Sequence, residues 1–85
     1  MEYARARGKL PPELDGLLAS QMTAAINEAN LGLSDRAIAQ RYLVDRLPQI
    51  DIAVEIGLDR STVTKRLRDI KPRVAGAASK LNIHQ

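Results

Sequence analysis

The sequence predicts an all-α fold, a small domain of five helices. Apolar residues recur at spacings of three and four along most of the chain, which is the period of a helix with one buried face. Prolines and glycines lie between these segments, where helices commonly begin and end. Because 85 residues suffice for one modest core, we expect a single helical domain over residues 11–85. Residues 1–10 lack this period, and we interpret them as a flexible basic arm.

Two helices are expected before the centre of the chain. The first should run from about Pro12 to Ala29, with a broad apolar face that either covers the core or partly faces a second subunit. Both alternatives stay open because the outer face of this helix carries little charge. Gly32 then provides a turn, and Ser34 is expected to cap a second helix of about residues 35–46.

Two short helices joined by a tight turn are predicted at the centre, over about residues 48–71. Pro48 suits a first helical turn, and Gly57 tolerates the left-handed conformation by which a chain leaves a helix. Beyond this turn, one face of the next helix is apolar at Val63, Leu67 and Ile70. Two amphipathic helices separated by a turn that contains glycine are typical of a helix-turn-helix motif.

A break is expected after the second helix of the motif. The residue before a proline is disfavoured in helical geometry, so Lys71-Pro72 predicts an interruption. Pro72 can itself open a helix, and apolar residues continue at helical spacing beyond it. We therefore expect a fifth helix from Pro72 to about Leu81.

The second helix of the motif presents cations and short hydroxyl groups on its outer side. With the apolar stripe turned inward, the residues on the outer face and its flanks are Arg60, Ser61, Thr62, Thr64, Lys65, Arg66, Arg68 and Lys71. Ammonium, guanidinium and hydroxyl groups donate hydrogen bonds to phosphate oxygens and to purine acceptor edges. The alternative is a charged face that is merely solvated, but the glycine turn and the apolar pattern around it favour DNA binding.

Charge is distributed unevenly along the chain. The net charge is +3 in total, with −5 over residues 11–59 and +6 over residues 60–85. The basic block begins where the proposed recognition helix begins, as expected for a protein that binds a polyanion. The arm adds Arg5, Arg7 and Lys9, which could enter a minor groove, although a solubilising terminus is the alternative interpretation.

From Tyr42 to Arg68 the sequence resembles region 4 of bacterial sigma-70 factors and the small sigma-like regulators common in prophages. The matching elements are RYL, PQIDIAVEIGL and DRSTVTKRL. The resemblance implies a compact helical DNA-binding module whose helix from Arg60 enters the major groove. It also implies RNA polymerase as a partner, because region 4 modules dock onto that enzyme. This chain has VDRLP where the family typically has a short turn such as EGLS.

Few residues are present for chemistry other than binding. The chain has no cysteine, and its single histidine, His84, is the penultimate residue. We therefore expect no thiolate or histidine metal site, no Ser–His pair, no enzymatic activity and no cofactor. No apolar run approaches the roughly 18 residues of a membrane span, so we expect no membrane partner and a cytoplasmic location in a bacterial host cell.

Three functions are compatible with these patterns. The first hypothesis is a sequence-specific double-stranded DNA-binding transcriptional regulator from a phage or prophage. It should act as a homodimer, because one short helix reads few base pairs. The alternative is a sigma-like adaptor that binds RNA polymerase through an acidic face of Asp45, Asp51 and Glu55. A small DNA-packaging (terminase) component ranks third, because such subunits normally carry an additional oligomerisation region.

Overall fold

The computed structural model describes residues 10–83, and every regular element in this range is helical. The helices are α1 (Ala19–Glu28), α2 (Leu33–Ala39), which continues as a π-helical segment (Gln40–Val44), α3 (Gln49–Ile56) and α4 (Arg60–Lys80). No strand occurs among the described residues. The prediction of an all-α fold is therefore confirmed for this part of the chain.

Helix α4 is the central element of the core, since α1, α2 and α3 all pack against it. Its inner side is buried from the first turns to the last, at Val63, Leu67, Ile70, Val74, Ala75, Ala77 and Ala78. The alanines near the end of this stripe let another helix approach closely. An ion pair between Lys80 Nζ and Glu28 Oε2, 3.5 Å apart, joins the C-terminal ends of α4 and α1.

The predicted break at Lys71-Pro72 is wrong, because Pro72 lies inside the continuous helix α4. The expected fifth helix is the second half of α4, and the described residues contain four helices. Ile70 and Val74 flank the proline and are both 0% exposed. Burying such a side chain contributes about 1.5–3 kcal/mol, so the pair offsets the roughly 3 kcal/mol that a proline costs in a helix interior. Pro72 itself faces solvent.

The first helix is also shorter than expected, because α1 begins at Ala19 and not at Pro12. Residues 12–16 form turns, and Gly16 adopts a φ of 82°, which no right-handed helix accommodates. Leu14 and Leu17 are nevertheless buried. Turns therefore bury the side chains whose spacing suggested a helix, and Leu18 is left 66% exposed.

Two further expectations concern the ends of elements. Gly32, and not Ser34, occupies the N-cap position of α2, and no side chain caps that helix. Leu10, assigned to the N-terminal arm, is partly buried and packs against the core. The remainder of the arm, residues 1–9, lies outside the described residues.

Gly57 ends α3 in the left-handed conformation, with a φ of 82°. Its amide and that of Leu58 both donate to the carbonyl oxygen of Ala53, each at 2.9 Å. The turn that directs the chain into α4 is thus closed by two hydrogen bonds and one left-handed residue. A Cβ atom at position 57 would have no atom beyond its chain neighbours within 4 Å. A substitution there would therefore lower stability through backbone strain and not through a steric clash.

We predict that Gly57→Ala lowers the free energy of unfolding by about 1–2 kcal/mol, because an alanine in the left-handed region is strained. Gly76→Ala is the matched control, since Gly76 lies inside α4 and also has space for a methyl group. That substitution should raise the free energy of unfolding by about 0.5–1 kcal/mol. Urea unfolding followed by circular dichroism measures both values, and equal effects of the two substitutions would contradict the assigned conformation.

Candidate nucleic-acid interface

The inward stripe of α4 determines which of its side chains face solvent. Val63 is 0% exposed and Leu67 is 2% exposed, so the opposite side of the helix points away from the domain. Asp59, the N-cap residue, has an extended backbone, and α4 begins three residues after Gly57. The short connection fixes the first turns of α4 beside α3, where their outer face remains accessible.

Five of the eight predicted contact residues line one open depression of about 360 Å³, here called the basic groove. These residues are Arg60, Ser61, Thr64, Lys65 and Arg68. Their positions are separated by alternating intervals of one and three residues along α4, so they occupy one face of the helix. The groove offers three cations and two hydroxyl groups, and no carboxylate lines it among the described residues.

The other three predicted residues lie outside the basic groove. Arg66 donates from NH1 to Oδ1 of Asp35 on α2, at 2.8 Å. Lys71 Nζ lies 5.1 Å from the centre of the Tyr42 ring, a cation–π contact. Thr62 is half-buried on the opposite flank. Arg66 and Lys71 are therefore engaged with the α2 and π-helical segments, whereas Lys65 and Arg68 have no ion pair among the described residues.

Gln49, the first residue of α3, is joined to this site by a hydrogen bond, although its sequence position did not indicate it. The hydroxyl of Thr64 donates to Oε1 of Gln49, and it also lies 3.1 Å from the carbonyl oxygen of Arg60. With Oε1 accepting this bond, the Nε2 group of Gln49 retains two donor hydrogens beside the basic groove. The surface that can contact a ligand thus extends from α4 onto the start of α3.

The described residues contain neither a cluster of metal-ligating side chains nor a membrane-spanning helix. Across residues 10–83, no three histidine, cysteine, aspartate or glutamate side chains lie close enough together to hold a metal ion. No helix in this range combines the length and apolarity needed to cross a membrane. His84 and the cations of the predicted arm lie outside the described residues.

We predict that the bond between Thr64 and Gln49 couples α4 to α3 energetically. Thr64→Val removes the hydroxyl with little change of shape, and Gln49→Ala removes its acceptor. In a double-mutant cycle measured by urea unfolding, the two residues should show a coupling energy of about 0.5–1.5 kcal/mol, the usual net value of a hydrogen bond. Strictly additive effects would mean that the two side chains act independently.

Comparison of the chain with known protein families, with curated proteins and with solved structures finds no match. The candidate interface is therefore defined by its own geometry and charge. Three cations and two hydroxyl groups on one exposed helix face, next to the amide of Gln49, form a surface suited to an anionic ligand.

Proposed function

We propose that the protein is a sequence-specific double-stranded DNA-binding transcriptional regulator that places the start of α4 in the major groove. The observation that carries this proposal is the basic groove, which lies on one exposed helix face and contains no carboxylate among the described residues. Side chains of these types donate to phosphate oxygens and to the N7 and O6 acceptors of guanine.

The dimensions of the groove-lining segment fit this proposal. From Arg60 to Arg68 the helix rises by roughly 12 Å, given 1.5 Å per residue, and the major groove is about 12 Å wide. The segment that carries the contacts is therefore about as long as the groove is wide. The order of α3, the Gly57 turn and α4 also supports a helix-turn-helix motif, in which the second helix reads the bases.

Each member of the basic groove has a role that follows from its chemistry. Lys65 and Arg68 lie at the centre of the exposed face and would contact guanine edges or the phosphates beside them. Arg60, at the first position of α4, would reach the phosphate backbone of the DNA. Ser61 would make a shorter contact. Thr64, whose hydroxyl donates to Gln49, would act by positioning that residue, and Gln49 would add an amide donor from α3. Arg66 and Lys71 would be less available to DNA, since each already has a partner within the domain.

A homodimer is part of the proposal, because five side chains on one helix read only a few base pairs. Leu18 is 66% exposed at the N-cap of α1, and a second subunit could cover it. The protein would act by binding alone, without a cofactor or a catalytic step. A phage or prophage origin and a cytoplasmic location in the bacterial host belong to the same proposal, as does contact with RNA polymerase.

We predict that selection of duplexes from a random library at about physiological salt enriches one motif. Two inverted half-sites about one helical turn apart are expected for a homodimer, because half-site spacing follows the symmetry of the protein. A single half-site would contradict the dimer but retain sequence-specific binding. Weak, salt-sensitive binding of every duplex without enrichment would contradict the regulator, since only the phosphate contribution would then remain.

We predict that Lys65→Ala and Arg68→Ala each weaken binding to the selected duplex by about 1–3 kcal/mol if the side chain contacts a base. If the side chain instead contacts a phosphate, its removal should reduce the magnitude of the slope of log K against log salt by about 1. Arg73→Ala is the matched control, because Arg73 is an exposed cation of α4 outside the basic groove. Titration by fluorescence anisotropy at several salt concentrations measures both quantities. Equal losses in all three variants would contradict a localised interface.

A further inference from the structure

The outward side of α3 exposes two apolar residues that no described part of the chain covers. Ile50 is 57% exposed and Val54 is 77% exposed, and they lie one turn apart on the same side of the helix. The opposite side of α3 supplies Ile52, at 0%, and Ala53, at 4%, to the core. One side of this eight-residue helix is therefore buried in the domain, and the other side carries the exposed pair.

Two carboxylates lie directly beside the apolar pair. Asp51 and Glu55 are also one turn apart, and both are exposed. Oε1 of Glu55 accepts from Nε of Arg41 at 2.8 Å, while half of the Glu55 side chain remains accessible. Asp51 has no ion pair among the described residues. The α3 outer face, formed by Ile50, Asp51, Val54 and Glu55, is thus apolar along one row and acidic along the next.

We propose that the α3 outer face docks a basic amphipathic helix of another protein. Such a helix would place apolar side chains, spaced by one turn, against Ile50 and Val54. Lysine or arginine on its flank would then lie opposite Asp51, which has no ion pair among the described residues, and beside Glu55, which is already paired with Arg41. Charge complementarity of this kind speeds association and selects the partner, whereas the apolar contacts supply most of the affinity. This inference goes beyond DNA binding and does not depend on it.

A second copy of the chain fits this face less well. If two α3 helices packed antiparallel about a two-fold axis, their Asp51–Glu55 rows would lie on the same side of the interface and repel each other. Two apolar side chains per copy also cover far less than the roughly 800 Å² per partner of a typical stable interface. The small area instead suits a weak, transient complex in which opposite charges assist the encounter.

The α3 outer face and the basic groove lie on neighbouring helices and differ in charge. Gln49 points toward α4, where it bonds to Thr64, and Ile50 begins the outer face one residue later. A helix docked on α3 would therefore lie next to Gln49, the residue that joins α3 to the basic groove. The cations of the docked helix would face the carboxylates of α3, whereas the cations of the basic groove would face an anionic ligand.

The experiment uses the full chain labelled with ¹⁵N and a synthetic helical peptide. The peptide carries leucines at i and i+4 with lysines on the flanking positions, and a peptide of the same composition in scrambled order is the control. Saturable amide shifts centred on Ile50, Asp51 and Val54 are expected with the patterned peptide. No binding up to millimolar peptide, equal binding of the scrambled peptide, or shifts centred elsewhere would overturn the proposal.

Two substitutions test the two halves of the recognition separately. Val54→Ser should weaken peptide binding about tenfold by removing apolar contact area. Asp51→Asn should weaken it about threefold at low salt and not at high salt, as expected for an exposed ion pair.

Leu33→Ser is the matched control, because Leu33 is 87% exposed on α2 and should not affect binding. An equal loss in Leu33→Ser would overturn the proposal. The proposal would also be overturned if sedimentation showed that the unmodified chain self-associates and that Val54→Ser abolishes this self-association.

Discussion

The structure depends on one constraint, the packing of a single 21-residue helix against the three helices that precede it. The inner side of α4 is apolar from Val63 to Ala78, and burial along this whole length keeps the helix continuous through Pro72. Because that side is fixed in the core, the opposite side must face solvent. The position of the basic groove is therefore a consequence of core packing.

The cations of α4 divide into two groups according to what lies near them. Arg66 and Lys71 reach back to Asp35 and Tyr42, so they connect α4 with the α2 and π-helical segments. Arg60, Lys65 and Arg68 have no acidic neighbour in the groove that they line among the described residues. An exposed ion pair contributes little to stability, but it removes a cation from the charge available to a ligand. The effective basic surface is thus smaller than the composition of the helix suggests.

The two central helices present surfaces of opposite charge. The groove on α4 is basic, whereas the α3 outer face combines Ile50 and Val54 with Asp51 and Glu55. Carboxylates on α3 would repel a polyanion, so they confine its approach to α4. The same carboxylates attract cationic partners, which the groove repels. Under the two proposals, one small domain would bind an anionic ligand on α4 and a cationic one on α3.

The sequence by itself determined the all-α class, the position of the turn at Gly57 and the outer face of α4, because periodicity and glycine conformation are local properties. Core packing decided what local rules could not. Burial of Ile70 and Val74 outweighed the helix-breaking tendency of Pro72, and turns buried Leu14 and Leu17 where a helix was expected. The bond from Thr64 to Gln49 and the pair of Arg66 with Asp35 join residues 15 and 31 positions apart. Such contacts follow from how the helices pack, which no spacing within one helix encodes.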